Sequence, residues 1–202
     1  MYTINKTFEA KQEIKKSEFI CTLIPINSVD DANTNLQLIR KKYYDATHNC
    51  YAYIIGDNQE IIKCSDDGEP SQTAGVVILE ALKKNELTNI LAVVTRYFGG
   101  IKLGAGGLVR AYSSSTSLAI QDITKLKIEK CQEFSIEVSY QYYNLIEKYL
   151  KEYQEKEKSF TDIIKVTIII PISKAQELRN KLVEITKNDI KITLEKEESR
   201  VL

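Results

Sequence analysis

Five of the chain's eight glycines fall within nine residues, at Gly99, Gly100, Gly104, Gly106 and Gly107, and three cations, Arg96, Lys102 and Arg110, are threaded through the same stretch. Glycine is needed where φ is positive or where another backbone or a ligand comes close. Unpaired N–H groups where a strand gives way to a helix can cradle an anion. Glycines alone would fit a tight turn with close helix–sheet packing equally well; the three cations favour an anionic ligand. The spacing is not that of the familiar nucleotide loops. A G-x-G-x-x-G starting at Gly104 meets Val109 where its last glycine should stand, and a phosphate loop starting at Gly99 reaches Gly104 but then finds Ala105 in place of lysine.

A second cluster, Asp66, Asp67 and Glu69, places three carboxylates within four residues of an Asp-Gly turn, with Thr73 just beyond. Carboxylates here can cap a following helix, pair with Arg96 or Arg110, hold a divalent metal, or act as acid and base. Capping with ion pairing ranks ahead of metal, because a metal needs several oxygens converging on one point. The only histidine, His48, lies two residues before Cys50, so on a strand the two would share a face as a nucleophile pair requires. A polar residue at a strand entrance is the simpler reading. One histidine among four dispersed cysteines, Cys21, Cys50, Cys64 and Cys131, cannot form a structural zinc site, and the spacing suits reduced thiols in small core positions. The run Ser113–Ser117 lacks a G-x-S-x-G elbow, so it reads as small residues lying close to a sheet.

The elements that must position these residues follow from hydrophobic periodicity. Two strands are expected before residue 26, then a helix from Val29 to about Lys42 capped by Ser28. A hairpin is expected from Cys50–Ile55 and Glu60–Cys64 across Gly56–Gln59. A helix over Ser71–Lys84, started by Pro70, leads to a strand over Ile90–Phe98 whose apolar start suits burial on both faces. A helix over Gly106–Asp122 completes this part. After Lys125 the pattern restarts as strand, helix (Tyr142–Tyr153, with Leu145 on its apolar face), two strands, helix (capped by Ser173) and strand. That βαββαβ order is the ferredoxin-like arrangement. The fold class is therefore α+β in two domains, residues 1–125 and 126–202.

Composition bounds the partners. Lys plus Arg and Asp plus Glu are both 28, and residues 1–125 hold 14 of each, so neither half is a polyelectrolyte. Global charge offers no drive toward nucleic acid or membrane; any nucleic-acid site must be a local patch. No apolar run approaches the roughly 18–20 residues of a membrane span, and Met1–Ala10 has no apolar signal core. A soluble cytoplasmic protein is expected.

Three segments in order resemble the YigZ/IMPACT family: Ala46–Tyr53, then Asp66–Pro70 with Thr73–Gly75, then Val94–Gly104 with Gly106–Tyr112. Residues 17–122 look like the family's shared domain, and residues 132–199 like the second domain of its bacterial members. The resemblance implies a first domain like the ribosomal-protein and elongation-factor domain with a left-handed βαβ crossover, and a ferredoxin-like second domain like that at the C-terminus of elongation factor G. Eukaryotic relatives restrain a translational stress kinase through a further domain that this chain lacks, so that activity is not carried over. The expectation is a translation-associated module that binds RNA, the ribosome or a translation-factor component through the basic glycine-rich loop, without DNA specificity and without a cofactor. A metal-dependent enzyme using Asp66, Asp67 and Glu69 on a phosphorylated or acidic small molecule is the alternative, and a protein-interaction module a third.

Overall fold

The computed structural model describes residues 1–201. They form two compact units, Met1–Ile128 and Glu129 onward.

The first unit is built on a five-stranded antiparallel sheet. Its strands are β2 (Phe8–Ile14), β3 (Ser17–Pro25), β4 (His48–Ile55), β5 (Ile61–Ser65) and β6 (Ile90–Tyr97), in the spatial order β2-β3-β6-β4-β5. A short first strand, β1 (Tyr2–Thr3), pairs outside this sheet with the start of β7 (Leu126–Val138). Since β3 and β4 both run antiparallel to β6, they are parallel to each other and need a crossover, supplied by helix α1 (Val29–Lys42). Ser28 caps that helix as its sequence predicts, its Oγ accepting from the Asp31 N–H at 3.0 Å.

Side chains alternate across the sheet, and each set has its own cover. Cys50, Ala52 and Ile54 of β4, with Ala92 and Val94 of β6, pack under helices α2 (Gly75–Lys84) and α3 (Ala105–Gln121). Tyr51, Tyr53 and Ile55, with Leu91 and Val93, pack against Leu36 and Ile39 of α1 on the opposite face. Burial on both faces explains why β6 begins as an unbroken apolar run.

The second unit has the order β7-α4-β8-β9-α5-β10, with α4 Tyr140–Leu150, β8 Gln154–Phe160, β9 Ile164–Pro171, α5 Ile172–Ile185 and β10 Ile190–Val201. Its sheet runs β10-β7-β9-β8, with β9 antiparallel to both β7 and β8, which is the ferredoxin-like split βαβ arrangement. Phe134, Ile136 and Val138 meet Tyr143, Ile146 and Leu178 in its core.

Three local expectations are corrected. Helix α2 starts at Gly75 rather than Ser71, and Pro70 sits in a turn, because the preceding backbone wraps around the Asp66 carboxylate. Ser173 does not cap α5: Pro171 occupies the cap position, where no side chain accepts a hydrogen bond. In α4 the buried stripe is Tyr143, Ile146 and Leu150, which turns Leu145 out to solvent.

Candidate functional site

Strand register brings the first group together. Arg96 of β6 stands opposite Phe19 of β3 on one side and His48 of β4 on the other. By strand alternation all three point to the face covered by α3. Phe19 and the half-exposed Phe98 flank the Arg96 guanidinium, each ring centre 5.5 Å away.

Glu69 closes this group from the β5–α2 turn. Its Oε1 accepts from Arg96 Nη1 at 2.6 Å and from the Tyr112 hydroxyl of α3 at 2.7 Å. The side chains of Arg96 and Glu69 are 6% and 3% exposed, so the pair is buried. An ion pair of this kind tolerates loss of neither partner, since the survivor would be an unneutralised buried charge. Arg96 Nη1 is thus committed to Glu69, while its buried Nε has no hydrogen-bond partner among the described residues.

The other two carboxylates are used locally. Asp66 accepts from the backbone N–H groups of Gln72, Ala74 and Gly75, at 2.9, 3.0 and 2.8 Å, and so pins the start of α2. A Cβ on Gly75 would press on the Ser65 backbone, which accounts for glycine at that close approach. Asp67 accepts from Arg40 Nη2 and from the Asn49 N–H, both at 2.7 Å. Thr73 donates to the Pro70 carbonyl. The acidic turn is therefore a structural knot of caps and ion pairs. Among the described residues no three of His, Cys, Asp and Glu converge on a point where a metal could sit.

Cys50 and His48 do face the same way, but they do not form a nucleophile pair. The Cys50 thiol is bonded to the Asp66 carbonyl and the Tyr112 hydroxyl. Burial pushes it up to about 12 against the lowering effect of the Tyr112 bond, and the Glu69, Asp67 and Asp66 charges add to the rise. Burial, reinforced by Cys50 and Glu69, likewise raises the Tyr112 phenol far above its usual range. Neither group is poised to ionise near neutrality.

The glycine-rich segment has the opposite character. Gly99 abuts the Lys16 carbonyl, where a Cβ would clash, and Gly100 and Gly104 have φ of 84° and 71°. These positions turn the chain from β6 into α3. No side chain caps α3, whose first internal bond runs from the Leu108 N–H to the Gly104 carbonyl. The N–H groups of Ala105, Gly106 and Gly107 precede that bond and carry the positive end of a 17-residue helix. Lys102 is exposed, and among the described residues Arg110 bonds only the Gly106 carbonyl, at 3.2 Å.

Between the two segments lies a cavity of about 370 Å³. His48, Glu69 and Arg96 meet Lys102 and Gly104 around it, and Phe98, Leu103 and Leu108 supply apolar surface. Asp66, Asp67 and Thr73 stand outside its lining, as do Gly99, Gly100, Gly106, Gly107 and Arg110. Sequence reasoning missed Tyr112 and Arg40 as parts of this region, while Leu103 and Leu108 fall inside the glycine-rich segment Arg96–Arg110 that it singles out. Tyr112 lies seven residues into α3 and is placed by helix phase, which the glycine pattern does not reveal.

The model of the IMPACT N-terminal domain matches residues 15–120, more than half of the chain. The chain belongs to the IMPACT family. It is 40% identical to the "IMPACT family member YvyE" of Bacillus subtilis over 194 residues, covering 94% of this chain and 89% of that protein. Identity to "IMPACT family member YigZ" of Escherichia coli is 32% over 185 residues, covering 90% and 91%. The family extends to eukaryotes: the "Protein IMPACT homolog" of Dictyostelium discoideum is 40% identical over 108 residues, which are 52% of this chain and 31% of that one. A crystal structure of a hypothetical protein superposes with a TM-score of 0.63 at 30% identity, covering 98% of both chains.

Proposed function

We propose that this IMPACT-family chain is a translation-associated RNA-binding module whose contact surface is the start of α3 with Lys102 and Arg110. One observation carries the reading. The uncapped N-terminus of α3 opens beside two cations that no acidic side chain among the described residues neutralises, with Phe98 and Ile101 exposed. Backbone N–H groups and lysine or arginine hold phosphates. Exposed aromatic surface stacks unpaired bases. A neutral chain with two local cations binds through few phosphates, so affinity is modest and depends on this patch alone. A ribosomal or translation-factor setting for that RNA rests on what the family resemblance implies about the two domain folds.

The metal-dependent alternative has less support, because Asp66, Asp67 and Glu69 are each engaged in separate bonds.

Co-sedimentation with ribosomes and with single-stranded RNA tests the proposal. Pelleting at low salt that is lost in Lys102→Glu/Arg110→Glu is the expected outcome. Pelleting that survives the double reversal, or none at any salt, overturns it.

A further inference from the structure

Two hydrogen-bond acceptors in the cavity are left unused by the protein, and their chemistry selects a ligand. His48 Nδ1 lies 2.8 Å from the Asp67 carbonyl oxygen. A carbonyl only accepts, so Nδ1 carries a proton, and a ring with that single proton presents a lone pair at Nε2. Gly68 lies against the His48 ring, and its φ of 87° suits glycine. Nε2 lies 3.8 Å from Glu69 Oε2. Glu69 Oε1 already serves Arg96 and Tyr112, whereas Oε2 accepts no hydrogen bond among the described residues. The His48 and Glu69 side chains, 19% and 3% exposed, both belong to residues that line the cavity.

Two adjacent acceptors ask for two adjacent donors. Among the four RNA bases only guanine has neighbouring N–H donors on one edge, N1–H and the 2-amino group. Adenine and cytosine offer one amino group beside an acceptor, and uracil offers one N–H between two carbonyls. Half-exposed Phe98, with Leu103 and Leu108, supplies apolar surface for a flat ring, as single-stranded RNA readers do with splayed bases. The cavity volume suits a ligand of that size.

We infer that the cavity binds a guanine base, with N1–H and the 2-amino group donating to His48 Nε2 and Glu69 Oε2 and its phosphate at the start of α3. The inference deepens the RNA-binding reading and rests on it for the phosphate position. The guanine could belong to RNA or to a free nucleotide, and the chemistry is the same in both.

Titration of the intact chain with guanosine, inosine, adenosine and uridine monophosphates tests it, beside oligouridylate with and without one internal guanosine. Inosine keeps N1–H and lacks only the 2-amino group. The expected result is about tenfold weaker binding of inosine than guanosine monophosphate, the size of one lost hydrogen bond to a charged acceptor. His48→Leu should bring guanosine down to the inosine level. Equal affinity for guanosine and inosine monophosphates overturns the inference. A free α-amino acid that displaces guanosine monophosphate overturns it too, since an ammonium group would then be the donor. Oligouridylate binding that gains nothing from a guanosine overturns the base site and leaves the RNA reading standing. Guanosine monophosphate binding without any oligonucleotide binding supports the base site and overturns the RNA reading. Binding of neither overturns both.

Discussion

The acidic turn and the glycine-rich segment, on either side of the cavity, use their charges in opposite ways. In the acidic turn each carboxylate is anchored: Asp66 to three backbone N–H groups, Asp67 to Arg40 and Asn49, and Glu69 through Oε1 to Arg96 and Tyr112, which leaves its Oε2 as the one open oxygen named above. In the glycine-rich segment the polar groups are left open: three N–H groups at the start of α3, exposed Lys102, and Arg110, held among the described residues only by a carbonyl. Satisfied charge builds structure, while unsatisfied charge at a surface marks where a ligand can replace water. Arg96 shows why position in the chain does not decide between these roles. It lies among the glycine-rich residues in sequence, yet it belongs by bonding to the acidic turn.

This contrast is broken most forcefully at Arg96 and Glu69. Arg96→Glu or Glu69→Ala leaves a buried charge without its partner, and each should cost about 3–5 kcal/mol of stability by chemical denaturation. A loss under 1 kcal/mol would return Arg96 to the ligand side. Gly99→Ala comes next. Its Cβ would fall on the Lys16 carbonyl, so the β6–α3 turn must move, and a drop in melting temperature of several degrees is expected. Lys102→Glu should weaken RNA binding about tenfold and leave the melting temperature unchanged, because Lys102 is exposed outside the buried knot. Gly106→Ala sharpens the point further. A Cβ there meets only Arg110 Nη2, at 3.9 Å, so stability should rise by about 0.5–1 kcal/mol while the methyl group crowds the helix start and RNA binding falls. The smallest signal is chemical. With its thiol held at about 12, Cys50 should resist alkylation in the native protein at pH 8, and rapid mass-labelling at Cys50 would contradict its buried bonding.

Much of this fold is legible in the chain because its signals are local. Ser28 announces α1, Gly56 with Asp57 turns the β4–β5 hairpin, and the restart after Lys125 gives the βαββαβ order. The start of α2 is not legible, because Pro70 is a good first-turn residue and only the long reach of Asp66 to Gly75 overrides it. In α4 a run of apolar residues fits two faces, and packing against β9 selects Tyr143 over Leu145. At the site, residue types flag both clusters, and pairing of Arg96 with the turn carboxylates is among the readings they allow. The choice of Glu69, the help of Tyr112 and the pairing of Asp67 with Arg40 depend on strand register and helix phase. His48 carries no signal of its own as an open acceptor until the Asp67 carbonyl fixes its tautomer.

The most direct test of the open segment is the salt dependence of single-stranded RNA binding, measured for the native chain and for Lys102→Glu/Arg110→Glu. Two phosphate contacts predict a slope of log K against log salt near −1.4, at roughly 0.7 for each phosphate on a single strand. The double variant should flatten that slope toward zero at an unchanged melting temperature. A native slope that persists in the variant would place the anion elsewhere and contradict the account.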